Sequence, residues 1–432
     1  MAEAKNKQKI KRVGSDLPGG FRDYAPSDAR LKQWILDIAR RTFEQFGFEP
    51  LETSAVQRAE ALIGGEEDSD KIIYRVRPAQ RGEIIGEEGK DENALRFDLT
   101  VPLARFVAAN PDIPRPFKRY EIGRVWRGER QQAGRYREFT QADADIVGSA
   151  SLLADAEIIA VIYTTLKNLG INEFVIKIND RKELNTLPSA AGFAQEKLWD
   201  ALRIIDKQDK IGKSGVADEL SKEFGWGVME KIMAFLANPS ETTGTLAEIA
   251  TAMDAMGIDR KYWSLVRSLV RGLSYYTGPV FETILTEAPE FGSVFGGGRY
   301  DNLVMSFTGQ KIPAVGVSLG VDRLIAGLER LNITPTASSA AQALILNLIP
   351  DAGIEYLAMA REVRDAGIAC SIYLGGDMSF QAQLAYALKK EMAYVVIRGE
   401  EEKAKGVIAI KNLATREQTE MPREKLKAYF QK

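Results

Sequence analysis

The 432-residue chain contains no histidine. That absence excludes a Ser-His-Asp triad, a His-Glu-x-x-His zinc motif and acid–base catalysis by imidazole. A single cysteine, Cys370, sits in the apolar run Ile368 to Ile372, which excludes an intrachain disulfide and a cysteine-built zinc cluster. The thiol is expected as a small buried hydrophobe. Neither sign of charge dominates: 58 Lys and Arg stand against 60 Asp and Glu, which leaves nucleic-acid binding open, because a local basic surface can hold phosphates on a neutral protein. No apolar run approaches the length of a membrane span, and Met1 to Arg12 is Lys-rich and polar, unlike a secretory signal. The resulting expectations are two or three domains, no membrane and a cytoplasmic location. Chemistry falls to Arg, Lys, Asp, Glu, Gln, Tyr and bound ions.

Two segments carry the most information. Arg271-Gly272-Leu273-Ser274-Tyr275-Tyr276-Thr277-Gly278 places a fixed cation ahead of paired phenols, and Gly292-Ser293-Val294-Phe295-Gly296-Gly297-Gly298-Arg299-Tyr300-Asp301 is an apolar run opening onto three glycines, where backbone can approach a small ligand closely. Between Tyr120 and Gly148 the pattern is strand, polar loop, strand. Val125, Arg127 and Glu129 share one face of the first strand; Phe139, Gln141, Asp143 and Asp145 share one face of the second, with Thr140, Ala142, Ala144 and Ile146 on the other. A strand with one polar and one small apolar face is expected where one side packs and the other lines a site. The loop between them adds Arg130, Arg135 and Arg137 to that side.

Ala94 to Pro102 reads as a strand end, with Asp98 and Thr100 on one face. Pro26-Ser27 opens a helix capped by Ser27 that continues through Leu31, Trp34, Ile35, Ile38, Phe43 and Phe46. Ala314 to Leu324 reads as a small-residue strand running through glycine into a helix, with Arg323 at its start, where a guanidinium fork can reach a phosphate. Ile211-Gly212-Lys213-Ser214 imitates a phosphate loop, but Lys207 occupies the first glycine position and the preceding residues read as helix, so it is a helix-to-helix connection. Asn332 to Ser339 has linker composition. Beyond it strands at 344–348, 369–373, 394–398 and 407–412 alternate with helices at 354–365 and 380–390, the pattern of a separate α/β domain.

In this order and spacing the segments resemble the histidyl-tRNA synthetases, a class II aminoacyl-tRNA synthetase family. The missing histidines also exclude class I synthetases, whose ATP signature contains two. The resemblance implies an antiparallel-sheet catalytic domain over residues 19–331 with a helical insertion at about 181–259, preceded by a flexible tail at 1–18. It further implies a linker at 332–340 and an anticodon-binding α/β domain at 341–432. It implies ATP and Mg²⁺ as cofactors, L-histidine and tRNA(His) as partners, and a homodimer built on the first helix. Carried over by residue, Arg127 binds the α-phosphate, Glu129 the adenine amino group, Arg135 and Arg323 the outer phosphates, and Phe139 stacks on adenine. Asp98 and Thr100 hold the substrate ammonium group; Gln141, Asp145, Tyr275 and Tyr276 complete the histidine site. Arg271 stands at the α-phosphate in place of a metal ion, and no structural metal site is implied. The alternative is the non-catalytic relative that regulates ATP phosphoribosyltransferase, which usually lacks the C-terminal domain and the ATP residues. One departure stands out: Gly375 to Ala387 has no basic residue, so phosphate neutralisation there contributes less than in a basic anticodon domain.

Overall fold

The computed structural model describes residues 14–63, 73–76, 92–129, 134–237, 244–270, 276–333 and 339–431. Two compact units divide the chain, Met1–Ile333 and Thr334–Lys432. In the first unit the strands are β1 (Glu49–Pro50), β2 (Val56–Arg58), β3 (Tyr74–Val76), β4 (Asn93–Leu95), β5 (Phe117–Trp126), β6 (Glu138–Val147), β7 (Phe174–Asp180), β8 (Trp263–Leu265), β9 (Pro279–Leu285), β10 (Ser293–Arg299) and β11 (Ala314–Gly320). Eight of them form one sheet in the order β1-β5-β6-β11-β10-β9-β7-β8, whose six central strands run antiparallel while β1 and β8 pair in parallel at its ends. β2, β4 and β3 make a small separate sheet.

Alternation along β6 decides which side of the large sheet is packed. Ala142, Ala144 and Ile146 enter the main hydrophobic core with Leu31, Ile35, Phe43, Ile158, Ile162, Phe281 and Leu324, leaving the odd-numbered polar residues to the opposite face. The helix Pro26–Gln45 contributes Leu31, Ile35, Ile38, Ala39, Thr42 and Phe43 at the three- and four-residue spacing of one face. Each Ile, Leu or Phe buried in this way contributes about 1.5–3 kcal/mol. Ser27 is not its cap: Ala25 occupies that position, Pro26 supplies the first-turn φ without an N–H needing a partner, and the Ser27 hydroxyl donates to Asp28 at 3.0 Å. Asn168 on the helix Leu152–Asn168 donates to Thr42 at 3.0 Å and fastens the two helices together.

Helices Leu198–Ile205, Gln208–Phe224 and Trp226–Ala237 share a small core of their own, including Leu198, Leu202, Val216, Leu220 and Ile232. Gly212 breaks Gln208–Phe224 with φ 71° and ψ 173°, so the phosphate-loop imitation is the kink between two helical pieces. The helix Gly244–Ala255 behaves differently from these neighbours, giving Leu246, Ile249 and Met253 to the main core.

The second unit holds β12 (Ala343–Ile345), β13 (Cys370–Ile372), β14 (Tyr394–Ile397), β15 (Val407–Asn412) and β16 (Gln418–Pro422), ordered β13-β12-β14-β15-β16. The first three run parallel and the last two antiparallel, which makes the mixed sheet that alternating strands and helices imply. β16 was not foreseen, because Gln418–Pro422 is almost wholly exposed and carries no apolar alternation. Cys370 is buried, and burial pushes its thiol up to about 11. Ser379 caps the helix Phe380–Lys389 through Ala382 N–H. Gln383 on that helix, fully buried, exchanges hydrogen bonds with both backbone groups of Asn347 at 2.7 and 2.6 Å, tying the helix to the end of β12.

Candidate active site

A cavity of about 390 Å³ opens on the polar face of the large sheet. Its floor is made possible by small residues. Gly296 pairs with Ser318 and Gly298 with Gly316 across β10 and β11, and Ser318 and Gly316 pair in turn with Asp143 and Asp145 of β6. The glycine run is therefore the middle of a strand, not a turn, and its missing side chains leave room above the sheet. At Gly297 the packing against backbone is close: a Cβ there would lie 2.2 Å from the Gly316 carbonyl and 2.7 Å from Val317 Cα.

Three of the lining residues are cations. Arg127, just past the end of β5, has its Nε bound to the Phe97 carbonyl at 2.9 Å and its guanidinium 5.2 Å from the Phe139 ring centre. Arg135, Glu129 and Phe139 line the same wall, and Arg323 reaches in from the helix Val321–Arg330, its Nη1 donating to the Ser293 carbonyl at 2.8 Å. Asp322 positions that helix by accepting from Thr140 N–H of β6 at 3.0 Å and from the Tyr24 hydroxyl. Tyr24 belongs to an N-terminal stack in which Arg22 lies over the rings of Tyr24 and Tyr136, 4.1 and 4.9 Å from their centres. Burial, then Asp322, raises the Tyr24 phenol, so it stays a proton donor.

The lining also includes Asp98, Thr100, Gln141 and Tyr276. Asp98 and Thr100 do not share a strand face. β4 stops at Leu95, Thr100 starts the helix Thr100–Ala109, and Asp98 accepts from Val101 N–H at 3.0 Å. An Asp preferring to bond the backbone ahead of it starts a helix here, and Pro102 is tolerated in its first turn. Burial raises the Asp98 carboxyl, opposed by Val101 N–H and by Arg127 and Arg119. The Gln141 amide donates to Ser318, and Tyr276 packs against Gly298, where a Cβ would lie 2.9 Å from its ring.

Asp145 is placed differently from these. It is 2% exposed and does not line the cavity; one oxygen accepts from Tyr300 and the other lies 2.7 Å from Arg119 in an ion pair. Asp143 is equally buried two residues nearer to Gln141. Burial pushes both carboxyls up, Asp143 well above its ordinary range, and Arg119 pulls both back. Arg271 and Tyr275 lie outside the described residues. The cavity thus brings together Asp98, Thr100, Arg127, Glu129, Arg135, Phe139, Gln141, Tyr276 and Arg323 from five separate stretches of chain. Sequence reading missed Arg119, Glu121, Tyr300 and Ser318. Arg119 and Glu121 have the same parity on β5 as Arg127, so extending the alternation backwards was the signal available for them.

A family model described as histidyl-tRNA synthetase matches residues 20–324, and one described as anticodon binding domain matches residues 342–432. The histidine–tRNA ligase of Paracoccus denitrificans is 41% identical over 456 residues, spanning 95% of this chain and 92% of that protein. That of Wolinella succinogenes is 40% identical over 420 residues, spanning 91% and 92%. The crystal structure of histidyl-tRNA synthetase from Nostoc sp. PCC 7120 superposes with a TM-score of 0.83 at 31% identity, covering 97% of this chain and 99% of that one.

Proposed function

The chain belongs to the histidyl-tRNA synthetase family, and on that premise we propose that it is a histidine–tRNA ligase, activating L-histidine with ATP and passing the histidyl group to tRNA(His). The observation that carries this reading is one cavity lined by Arg127, Arg135, Arg323 and Phe139 together with Asp98, Thr100, Gln141 and Tyr276. A triphosphate with a planar base fits the first set; an α-amino acid fits the second. The histidine carboxylate attacks the α-phosphorus, forming the acyl–phosphate bond of the adenylate as the bond to pyrophosphate breaks. The terminal ribose hydroxyl of the tRNA then displaces AMP from the acyl carbon. Such displacements need positioning and charge neutralisation more than covalent help from the protein.

Arg127 neutralises the α-phosphate, and Arg271 joins it there in the role the family resemblance gives it. Glu129 accepts from the adenine amino group while Phe139 stacks on the ring, and Arg135 and Arg323 take the outer phosphates. Mg²⁺ arrives as the counter-ion of ATP and belongs to the substrate. Asp98 and Thr100 hold the ammonium group; the imidazole points along β6 past Gln141 toward Asp143 and Asp145, with Tyr276 lining the site, and Tyr275 has the role the family resemblance gives it. Such substrates place the protein in the cytoplasm, and the family resemblance supports a homodimer.

In this reading the domains are the catalytic residues 19–331 and the anticodon-binding residues 341–432. If so, a chain ended at Ile333 keeps histidine-dependent adenylate formation but charges tRNA(His) at least about tenfold more slowly at limiting tRNA, the effect of about 1.4 kcal/mol of lost binding. The loss depends only weakly on salt, since the helix Phe380–Lys389 and the turn before it offer no cation before Lys389. Steady-state charging at two salt concentrations tests this. Equal charging by both chains contradicts the anticodon assignment, and failure of the full chain to charge favours the regulatory relative.

A further inference from the structure

Arg119 has 0% of its surface exposed. A guanidinium wholly inside a sheet is costly unless it is paired, and removing one partner of such a pair leaves the other uncompensated. Its surroundings are carboxylates: Asp145 at 2.7 Å across β5 and β6, Glu121 at 3.9 Å on its own strand, Asp143 beside Asp145, and Asp98 on the segment before Thr100–Ala109. Glu121 has a cation of its own, Arg96 at 2.7 Å, and also accepts from the Thr53 hydroxyl and N–H. Tyr300, following β10, covers the other oxygen of Asp145. Arg119 Nη2 also donates to the Leu99 carbonyl at 3.1 Å, next to Asp98 and Thr100. One side chain therefore touches both the segment assigned to the ammonium group and the carboxylate assigned to the ring.

Polar capacity is left over at this point. Asp143 Oδ1, Gln141 Oε1 and the Nε and Nη1 of Arg119 are buried without a hydrogen-bond partner among the described residues, and Asp145 Oδ2 has only its ion pair with Arg119 Nη2. Buried groups in this state are expected to find a partner, and carboxylate oxygens accept from an N–H. A carboxyl accepts most strongly from an N–H while ionised, which burial opposes.

We propose that Arg119 is a positioning residue for amino-acid specificity: it holds the Asp145 carboxylate aimed along β6, so that Asp145 accepts the ring N–H of the substrate. This rests on the histidine-activating reading and adds a residue that touches neither ATP nor the reacting atoms. Arg119 stays charged at every accessible pH, so at every pH it opposes the upward push that burial gives Asp145. Without it, the carboxyl range moves up and protons are retained to higher pH. The defect therefore is largest at low pH and shrinks as pH rises.

The test is a cycle of Arg119→Met, Asp145→Asn and the double variant, reading histidine KM, ATP KM and kcat by pyrophosphate exchange between about pH 6.5 and pH 9. For Arg119→Met the histidine KM is expected to rise about tenfold or more at the acid end, one pKa unit being a tenfold change in the ionised fraction. The ratio to wild type falls toward the alkaline end, while ATP KM stays within about twofold. The titration of histidine itself is common to both enzymes and cancels in that ratio. The double variant should be no worse toward histidine than Asp145→Asn alone, because Arg119 acts through the carboxylate. A KM rise that is the same at every pH, or effects that add in the double variant, overturns the proposal. Should Arg119→Met fail to fold, the charge-matched double variant against Asp145→Asn decides: equal histidine KM supports the proposal and a further rise contradicts it. Absence of histidine-dependent exchange in the wild-type protein would instead strike the functional reading itself.

Discussion

Replacing Arg127 by alanine is expected to lower histidine-dependent exchange of pyrophosphate into ATP by about a hundredfold or more, the usual loss when one charge-stabilising donor is removed from a preorganised site. The effect should fall on kcat and kcat/KM together, because the charge at the α-phosphate grows only as the new bond forms. Arg127 also ties the Phe97 carbonyl at 2.9 Å, so a thermal melt belongs beside the kinetics. An unchanged melt with the hundredfold loss places the effect in the chemistry. Near-normal exchange in the variant would remove Arg127 from the transition state.

Gly297→Ala should have the second large effect, for a reason that lies in the sheet. The added methyl would meet the Gly316 carbonyl and Val317 Cα at 2.2 and 2.7 Å. These are backbone atoms of β11, so no rotamer change relieves the overlap and the strands must part. Overpacking of this kind costs about 1–3 kcal/mol, and the displaced strand is the one that carries Gly316 and Ser318 opposite Asp145 and Asp143. Activity is expected to fall below about a tenth of wild type, since misplacement of about 1 Å is enough for large losses. Gly376→Ala in the other unit, where nothing lies within 4 Å of an added Cβ, is the control and should melt like the parent. Equal melts and activities for the two variants would mean the β10–β11 floor is softer than its contacts indicate.

How much of this was legible in the sequence depends on what each residue's signal was. The two faces of β6 could be read because Ala142, Ala144 and Ile146 alternate strictly with Gln141, Asp143 and Asp145, and a two-residue period has one structural meaning. The same period, stopped at Val125, hid Arg119 and Glu121; a buried Arg looks like a solvent-facing one until its partners on the next strand are known. Asp98 and Thr100 were read onto a strand because Ala94 to Pro102 reads as a strand end with a proline breaker after it, whereas Val101 N–H donates to Asp98 and the chain turns into a helix there. Helix Gly244–Ala255 reads like its helical neighbours, and only tertiary packing reveals that its apolar face meets the main core. Tyr300 stands in the glycine-rich segment read as informative, but nothing local names its partner. Its role comes from reaching Asp145, 155 positions earlier in the chain.

The most direct test of histidine activation is exchange of labelled pyrophosphate into ATP by the purified full chain, with Mg²⁺ and each of the standard amino acids in turn. Exchange should appear with histidine and stay at background with the others, because a site built to bond a ring N–H rejects side chains that leave those groups unpaired by about 10⁴-fold or more. Exchange supported by a different amino acid, or by none, would contradict it.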